Sequence, residues 1–205
     1  MTNDEKAILI ALSIGDGHIE YKETYRFSCG HSEHQKEYVY WKAELLSNIL
    51  NKKIKVYKTT QNKNTLYRIS TTDNYFKFIR RRLYKNRDKL ISSKILNRLT
   101  LQGLAIWYMD DGSLSQKKKN SKVHANDLVF HTCCDKEQAQ LILFWFETKF
   151  NIKGTLKKES SGSYSAVKNT FYSIRFGTKS ARVLIEVIKP FMFLPLFQYK
   201  INVKS

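Results

Sequence analysis

Cysteine, proline and acidic residues are scarce in this 205-residue sequence, and each shortage excludes a class of protein. Three cysteines, two of them adjacent, cannot form the regular disulfide framework of a small secreted protein. No apolar run approaches the length of about 20 residues that a membrane-spanning helix requires. Only two prolines and eight glycines are present, and no low-complexity linker divides the chain. These shortages indicate a reduced, soluble, intracellular protein whose parts pack against each other.

The shortage of acids leaves a formal net charge of +18, from 36 Lys and Arg against 18 Asp and Glu. Such a surface repels itself unless a polyanion binds to it, and nucleic acid is the commonest polyanion. An anionic membrane is the alternative partner, which the lack of a spanning run disfavours. Hydrophobic residues make up 42% of the chain, which is enough for a sizeable core.

Two stretches 95 positions apart end in the same way. Apolar residues at 7–14 precede the letters GDG, and apolar residues at 104–109 precede DDG. After each stretch the pattern predicts a hairpin, an amphipathic helix, a second hairpin and a further helix. The sequence therefore predicts an α+β fold of tandem αββαββα repeats, at 1–93 and 94–205. Any α+β chain can be cut into similar halves, but the matched acidic endings favour a true repeat.

The first predicted helix has one face of small residues. Ala7, Ala11 and Gly15 lie four positions apart, so a second helix can approach closely and bring Asp16 and Asp111 together. Two carboxylates at helix C-terminal ends repel each other unless a cation lies between them. Oxygen ligands suit Mg²⁺, and such a metal in a basic protein indicates phosphodiester hydrolysis. The alternative is that each aspartate only ends a helix and begins a turn.

The stretches LIALSIGDG (9–17) and LAIWYMDDG (104–112) resemble the paired motifs of the LAGLIDADG homing endonucleases, in their two-motif, single-chain form. The second copy is close to the family pattern. The first departs from it at Ile10 and Ile14, and Met109 departs at the position that corresponds to Ile14. The resemblance covers essentially the whole chain and implies a pseudo-twofold monomer whose two antiparallel sheets form a DNA-binding saddle.

The resemblance also implies a metal site at the two motif ends. Asp16 and Asp111 inherit the role of metal-binding acids, and the residues before them, Gly15 and Asp110, complete the predicted site. The implied cofactor is Mg²⁺, with Mn²⁺ or Ca²⁺ as substitutes. The implied catalytic residues therefore include both aspartates.

Two lysines match the family pattern as further catalytic residues, namely Lys89 in DKLIS and Lys200 in FQYKIN. A lysine beside a metal-bound phosphate can stabilise developing charge or hold the network of the attacking water. Lys85, Arg87 and Lys94 lie close to Lys89 in the sequence. A match to the family pattern that is shifted by one helical turn would select one of them instead of Lys89.

The predicted strands alternate between apolar and polar side chains, so each sheet has a core face and an outer face. Basic and polar side chains on a curved outer face are suited to contact phosphates and to read bases in the major groove. The predicted DNA-binding residues are Lys22, Arg26, Ser28, Lys53, Lys55, Tyr57, Arg68, Lys117, His131, Lys153, Lys157 and Arg175.

The function that the resemblance implies is a staggered double-strand break in a long, asymmetric DNA site, made by a free-standing or intron-encoded protein. The host compartment would be a bacterial or phage-infected cytoplasm, or an organelle matrix. An intron RNA maturase, with intron RNA as partner, and a non-catalytic DNA-binding protein are the alternatives on the same scaffold. The presence of both acids favours the enzyme, because a pure binder would gain affinity for DNA by losing them.

Overall fold

The computed structural model describes residues 1–61, 64–85, 88–120, 122–160 and 170–203. The helices are α1 (Asn3–Ile14), α2 (Lys36–Leu50), α3 (Asn74–Leu83), α4 (Ser93–Leu96), α5 (Leu101–Asp111), α6 (Lys136–Phe150) and α7 (Thr178–Ile188). The strands are β1 (His18–Tyr21), β2 (Tyr25–Ser32), β3 (Val56–Gln61), β4 (Asn64–Thr72), β5 (Tyr84–Lys85), β6 (Asp88–Lys89), β7 (Gly112–Lys119), β8 (Lys122–Cys134), β9 (Thr155–Ser160) and β10 (Thr170–Phe176). None of the helices in these ranges combines the length and the hydropathy that a bilayer crossing demands.

Two four-stranded antiparallel sheets carry the fold, in the orders β1-β2-β4-β3 and β7-β8-β10-β9. Each sheet consists of two hairpins that pair through their second strands, β2 with β4 and β8 with β10. The predicted tandem αββαββα architecture is therefore confirmed, with one repeat from α1 to α3 and the other from α5 to α7. A short β5–β6 hairpin and α4 connect them. The division into 1–93 and 94–205 falls at the start of α4 and stays a prediction.

Helices α1 and α5 form the central contact between the repeats. All residues from 7 to 14 and from 103 to 109 are buried, as expected for helices that are apolar on every side. A Cβ atom on Gly103 would lie 3.3 Å from the carbonyl oxygen of Ala7 and 3.6 Å from the Cβ of Ala11. The small-residue face predicted on α1 therefore meets a glycine of α5, and the two backbones approach closely.

Both central helices begin at a threonine that fixes their first turn. The Thr2 side chain accepts a hydrogen bond from the Glu5 backbone, and the Glu5 carboxylate accepts one from the Thr2 backbone in return. Thr100 accepts from the Gly103 backbone N–H at 3.2 Å. These caps stabilise the first turn of each helix, because they satisfy backbone N–H groups that have no partner within the helix.

The strand register separates a core face from an outer face as predicted. In the first sheet Ile19 pairs with Phe27 on the core side, while His18 pairs with Ser28 on the outer side. The sequence placed some strand starts too early. Lys53 and Lys55 precede β3, and Lys153 precedes β9, because the apolar–polar alternation extends beyond the residues that have a pairing partner.

The close α1–α5 contact gives a stability prediction. We expect Ala11→Leu to destabilise the protein by about 1–3 kcal/mol, because added methylenes in a well-packed contact force neighbouring groups apart. Urea unfolding measures the change. Glu44→Leu introduces the same side chain at an exposed position of α2 and should leave the unfolding midpoint nearly unchanged. An equal midpoint for Ala11→Leu and the wild type would contradict the tight contact.

Candidate functional site

The acidic residues of the two motifs meet where α1 and α5 end. Asp111 is the last residue of α5, and Asp16 follows α1 after one intervening glycine. The backbone N–H of Asp16 donates a hydrogen bond of 3.1 Å to Oδ2 of Asp110, so the two helix ends are in direct contact. The structure thus brings together the four residues that the sequence assigned to a metal site.

Burial and mutual repulsion disfavour the charged form of these carboxylates. Burial raises the pKa of Asp111 to about 7, and the negative charges of Asp110 and Asp16 add to the shift. Burial and the Asp110 charge likewise raise the pKa of Asp16. A cation bound between the acids would lower both pKa values again, because it favours the charged carboxylates. The arrangement therefore fits a cation site at the helix ends.

Asp110 is held in a buried ion pair with a residue of α2. Its Oδ1 lies 2.7 Å from Nζ of Lys42, and neither side chain is exposed. The Tyr38 hydroxyl donates a second hydrogen bond of 2.7 Å to the same oxygen. A Cβ atom on Gly15 would clash with the Asp110 carboxylate, so the glycine provides the space for it. The carboxylate of Asp110 is thus fully committed to protein groups.

His31 lies on the other side of the Lys42 ammonium. Its Nε2 is 3.0 Å from Nζ of Lys42, and its Nδ1 is 3.1 Å from Oε1 of Gln35. Burial and the Lys42 charge lower the pKa of His31 to about 4, so the ring is neutral at pH 7. Asp16, His31 and Asp110 offer ligand atoms within 4.8 Å of one another, but the ammonium already supplies a positive charge among them.

This buried network breaks the symmetry of the repeats. Lys42 is the seventh residue of α2, and the seventh residue of α6 is the buried Ile142. Sequence reasoning gave Lys42 no role, although it lies four positions from Tyr38 and four from Leu46, both buried. A lysine on the apolar face of an amphipathic helix was the signal that pointed to a buried partner.

The two lysines predicted at the site each reach the end of a central helix. Nζ of Lys89 donates to the carbonyl oxygens of Ile14, at 3.1 Å, and Gly15. Nζ of Lys200 donates to the carbonyl oxygen of Met109 at 2.7 Å. Ile14 and Met109 both lie two residues before a motif acid, so the lysines occupy equivalent places. Cations are favoured at helix C-terminal ends because of the negative end of the dipole.

Burial also changes the acidity of these lysines. It lowers the pKa of Lys200 to about 8 and lowers that of Lys89 as well, while the nearby carboxylates oppose the shift. Both groups therefore hold their proton less tightly than a surface lysine. An open cleft of about 580 Å³ lies beside Lys89 and Asp111 and is also lined by His131 and Cys133.

In the first sheet, the predicted DNA-binding residues lie on the outer face or next to it. Arg26 and Ser28 lie on β2, Tyr57 on β3 and Arg68 on β4. Ser28 pairs with Ser70, and Tyr57 pairs with Arg68, in the register that places their side chains opposite the core. Lys22 lies in the turn between β1 and β2, and Lys53 and Lys55 lie before β3.

In the second sheet, most of the predicted DNA-binding residues lie within ion-pair distance of two acids, Asp127 and Glu159, which had no predicted role. Lys117 on β7 and Arg175 on β10 form ion pairs with Asp127, at 2.8 and 2.7 Å. Lys157 on β9 and His131 on β8 lie 3.2 and 3.4 Å from Glu159. Lys153 is exposed before β9. The outer faces of the two sheets therefore differ in how their basic side chains are constrained.

Comparison with known proteins agrees with this geometry. The LAGLIDADG DNA endonuclease family matches residues 6–184, and the chain belongs to that family. The cytochrome b mRNA maturase bI2 of Saccharomyces cerevisiae is 29% identical over 118 residues, which are 58% of this chain and 24% of the maturase. The chain therefore spans about a quarter of that relative.

The fold is also found in solved structures. The homing endonuclease I-WcaI bound to its DNA recognition sequence has a TM-score of 0.76 at 20% identity, over 100% of this chain and 88% of that one. The structure of I-DmoI in complex with DNA and Ca has a TM-score of 0.53 at 16% identity, over 95% and 92% of the two chains. At these identities the likeness establishes the fold.

The buried ion pair gives a prediction that separates charge from packing. We expect Lys42→Met to destabilise the protein by about 3–5 kcal/mol, because the Asp110 carboxylate is left buried without its partner. The double variant Lys42→Met/Asp110→Asn removes both charges and should recover most of the lost free energy of unfolding. Denaturant unfolding of the two variants makes the comparison.

Lys36→Met serves as the control, because it replaces an exposed lysine on the same helix and should leave stability nearly unchanged. If the single variant is as stable as the wild type, or the double variant is no more stable than the single, Lys42 and Asp110 are not coupled.

Proposed function

We propose that this protein is a site-specific homing endonuclease that makes a staggered double-strand break in a long, asymmetric DNA site. The observation that carries the proposal is the contact between the two motif ends, which places the acids of both repeats in one partly buried cluster. Basic outer faces on both sheets fit a duplex as the substrate, and the net charge of +18 supports binding to its phosphates. The chain would act as a monomer, because it supplies both motifs itself.

The cluster fits a divalent cation, with Mg²⁺ as the proposed cofactor and Mn²⁺ or Ca²⁺ as substitutes. Asp16 and Asp111 would hold the metal through their carboxylates. Gly15 and Asp110 would contribute backbone carbonyls, because glycine has no side chain and the Asp110 carboxylate is engaged by Lys42. The Gly15 carbonyl oxygen accepts from Lys89 and keeps a second lone pair that a metal would use. A bound metal would polarise the scissile phosphate and lower the pKa of bound water.

The lysines at the helix ends complete the proposed mechanism. Lys89 and Lys200 are anchored by backbone carbonyls one or two residues before the motif acids, so their ammonium groups stay beside the cluster. There they would orient the phosphate and stabilise the charge that develops on its oxygens. A lysine whose pKa is lowered to about 8, as for Lys200, is also suited to exchange a proton with the water network.

A cleavage assay tests the proposed function. The protein is incubated with a library of randomised duplexes in the presence of Mg²⁺ or EDTA, and the cut sites are sequenced. We expect cleavage with Mg²⁺ only. Asp111→Asn should still bind the selected duplex but leave it intact, because the metal loses a charged ligand. Cleavage by Asp111→Asn at the rate of the wild type would show that the catalytic assignment is wrong.

A second prediction concerns the lysines. We expect Lys89→Met and Lys200→Met to slow cleavage by about 10²–10³-fold, which is the usual loss when one positioned donor to a developing charge is removed. Single-turnover rates on the selected duplex measure the effect. Lys36→Met, at an exposed position of α2, is the matched control and should cut at the rate of the wild type. Equal rates for all these variants would exclude Lys89 and Lys200 from the reaction.

A maturase is the second candidate function, and the similarity to the yeast maturase favours it. Such a protein would bind its own intron RNA on this scaffold, with or without cleavage of DNA. In the assay described above, a maturase without nuclease activity would leave every duplex intact with Mg²⁺.

A further inference from the structure

The outer face of the second sheet has an acid at its centre. Asp127 lies on β8, with 11% of its side chain exposed. Its Oδ2 is 2.8 Å from Nζ of Lys117 on β7 and 2.7 Å from a guanidinium nitrogen of Arg175 on β10. A single carboxylate oxygen thus holds one basic side chain from each neighbouring strand. Although burial opposes it, hydrogen bonds from Arg175 and Lys117 keep the pKa of Asp127 below its usual range, so the acid is charged at pH 7.

The first sheet has the opposite charge at the equivalent position. Three residues after the motif glycine, Glu20 pairs with Arg26 in the first sheet, and Ser115 pairs with Asp127 in the second. The central strand of the first sheet therefore carries a base where that of the second carries an acid. Arg26 is 54% exposed and lies 3.9 Å from Glu20, so this pair is loose and solvated.

A buried acid on a DNA-facing surface has two physical consequences. It cancels part of the positive charge, so the group of Asp127, Lys117 and Arg175 carries a net charge of +1 and attracts phosphates of any sequence less strongly. It also fixes two long side chains before DNA binds, which reduces the conformational entropy that each would lose on contact with a base. Both effects favour discrimination between sequences over overall affinity, because specificity is a difference between two affinities.

We propose that Asp127 is a specificity-determining positioning residue. It holds Lys117 and Arg175 in place on the outer face of the second sheet and weakens the affinity of that half for DNA of arbitrary sequence. This inference rests on the proposed function, because it requires that the second sheet contacts a DNA duplex. Under it, the second repeat reads one half of the site through constrained side chains, whereas the first repeat presents the loosely held Arg26.

The test uses the full-length chain in EDTA, so that bound DNA stays intact. Fluorescence anisotropy measures the affinity for a random-sequence duplex of about 30 base pairs at several salt concentrations. This length gives each repeat more than one helical turn of DNA to contact. Bound duplexes are then selected from a randomised library and sequenced. We expect Asp127→Asn to bind the random duplex about fivefold more tightly at 0.15 M salt, as one added phosphate contact predicts. Compared with the wild type, the selected sequences should show weaker base preferences in one half-site and unchanged preferences in the other.

Two further variants separate charge from position. Asp127→Glu keeps the charge but moves the carboxylate by one methylene, so its affinity for the random duplex should stay within about twofold of the wild type while the same half-site loses information. Glu20→Gln makes the same charge change as Asp127→Asn in the first sheet. It should also bind the random duplex more tightly but leave the selected sequences unchanged, because it disturbs only a solvated pair.

The outcomes distinguish this inference from the function on which it rests. Selected sequences that are identical for the wild type, Asp127→Asn and Asp127→Glu would overturn the role of Asp127 and leave the proposed nuclease untouched. A wild-type protein that selects no duplex sequence would instead overturn the proposed function. Thermal unfolding of each variant confirms that the compared proteins are folded, and Asp127→Glu remains informative if Asp127→Asn is unstable.

Discussion

The close contact between α1 and α5 is the constraint on which the rest of the structure depends. Small residues on the facing sides of the helices allow their backbones to approach, as the distances from Gly103 to Ala7 and Ala11 illustrate. At the C-terminal ends of the two helices the motif residues are in direct contact, through the hydrogen bond from the Asp16 backbone to Asp110. A bulkier contact would separate the acids and weaken the electrostatic repulsion that makes the cluster suited to a divalent cation.

The two repeats share one architecture but differ at the positions that touch the helix ends and the outer faces. Gly15 in one motif makes room for Asp110 in the other, and that acid pairs with Lys42 of the first repeat, whose place in the second repeat is taken by Ile142. The outer faces differ as well, with Arg26 in the first sheet at the place of Asp127 in the second. A single chain can hold such differences because each repeat varies independently, whereas two identical subunits would have to carry the same residues on both sides.

Much of the fold followed from local patterns. The order of helices and hairpins, the repeat and the small-residue face of α1 were all predicted correctly, because periodicity and spacing report directly on which side of an element is buried. The errors were local. Alternation alone placed Lys53, Lys55 and Lys153 in strands, but pairing begins only at Val56 and Thr155, where a partner strand is present.

The sequence by itself determined the repeat, the paired acids and the basic surface, since each depends on the spacing or number of residues along the chain. Only the tertiary structure decided the partners of the charged groups. Lys42 meets Asp110 across 68 positions, and Arg175 meets Asp127 across the second sheet, neither of which is visible in a local pattern. An ion pair depends on the distance between two atoms in space, and that distance is set by how the helices and strands pack, not by sequence separation.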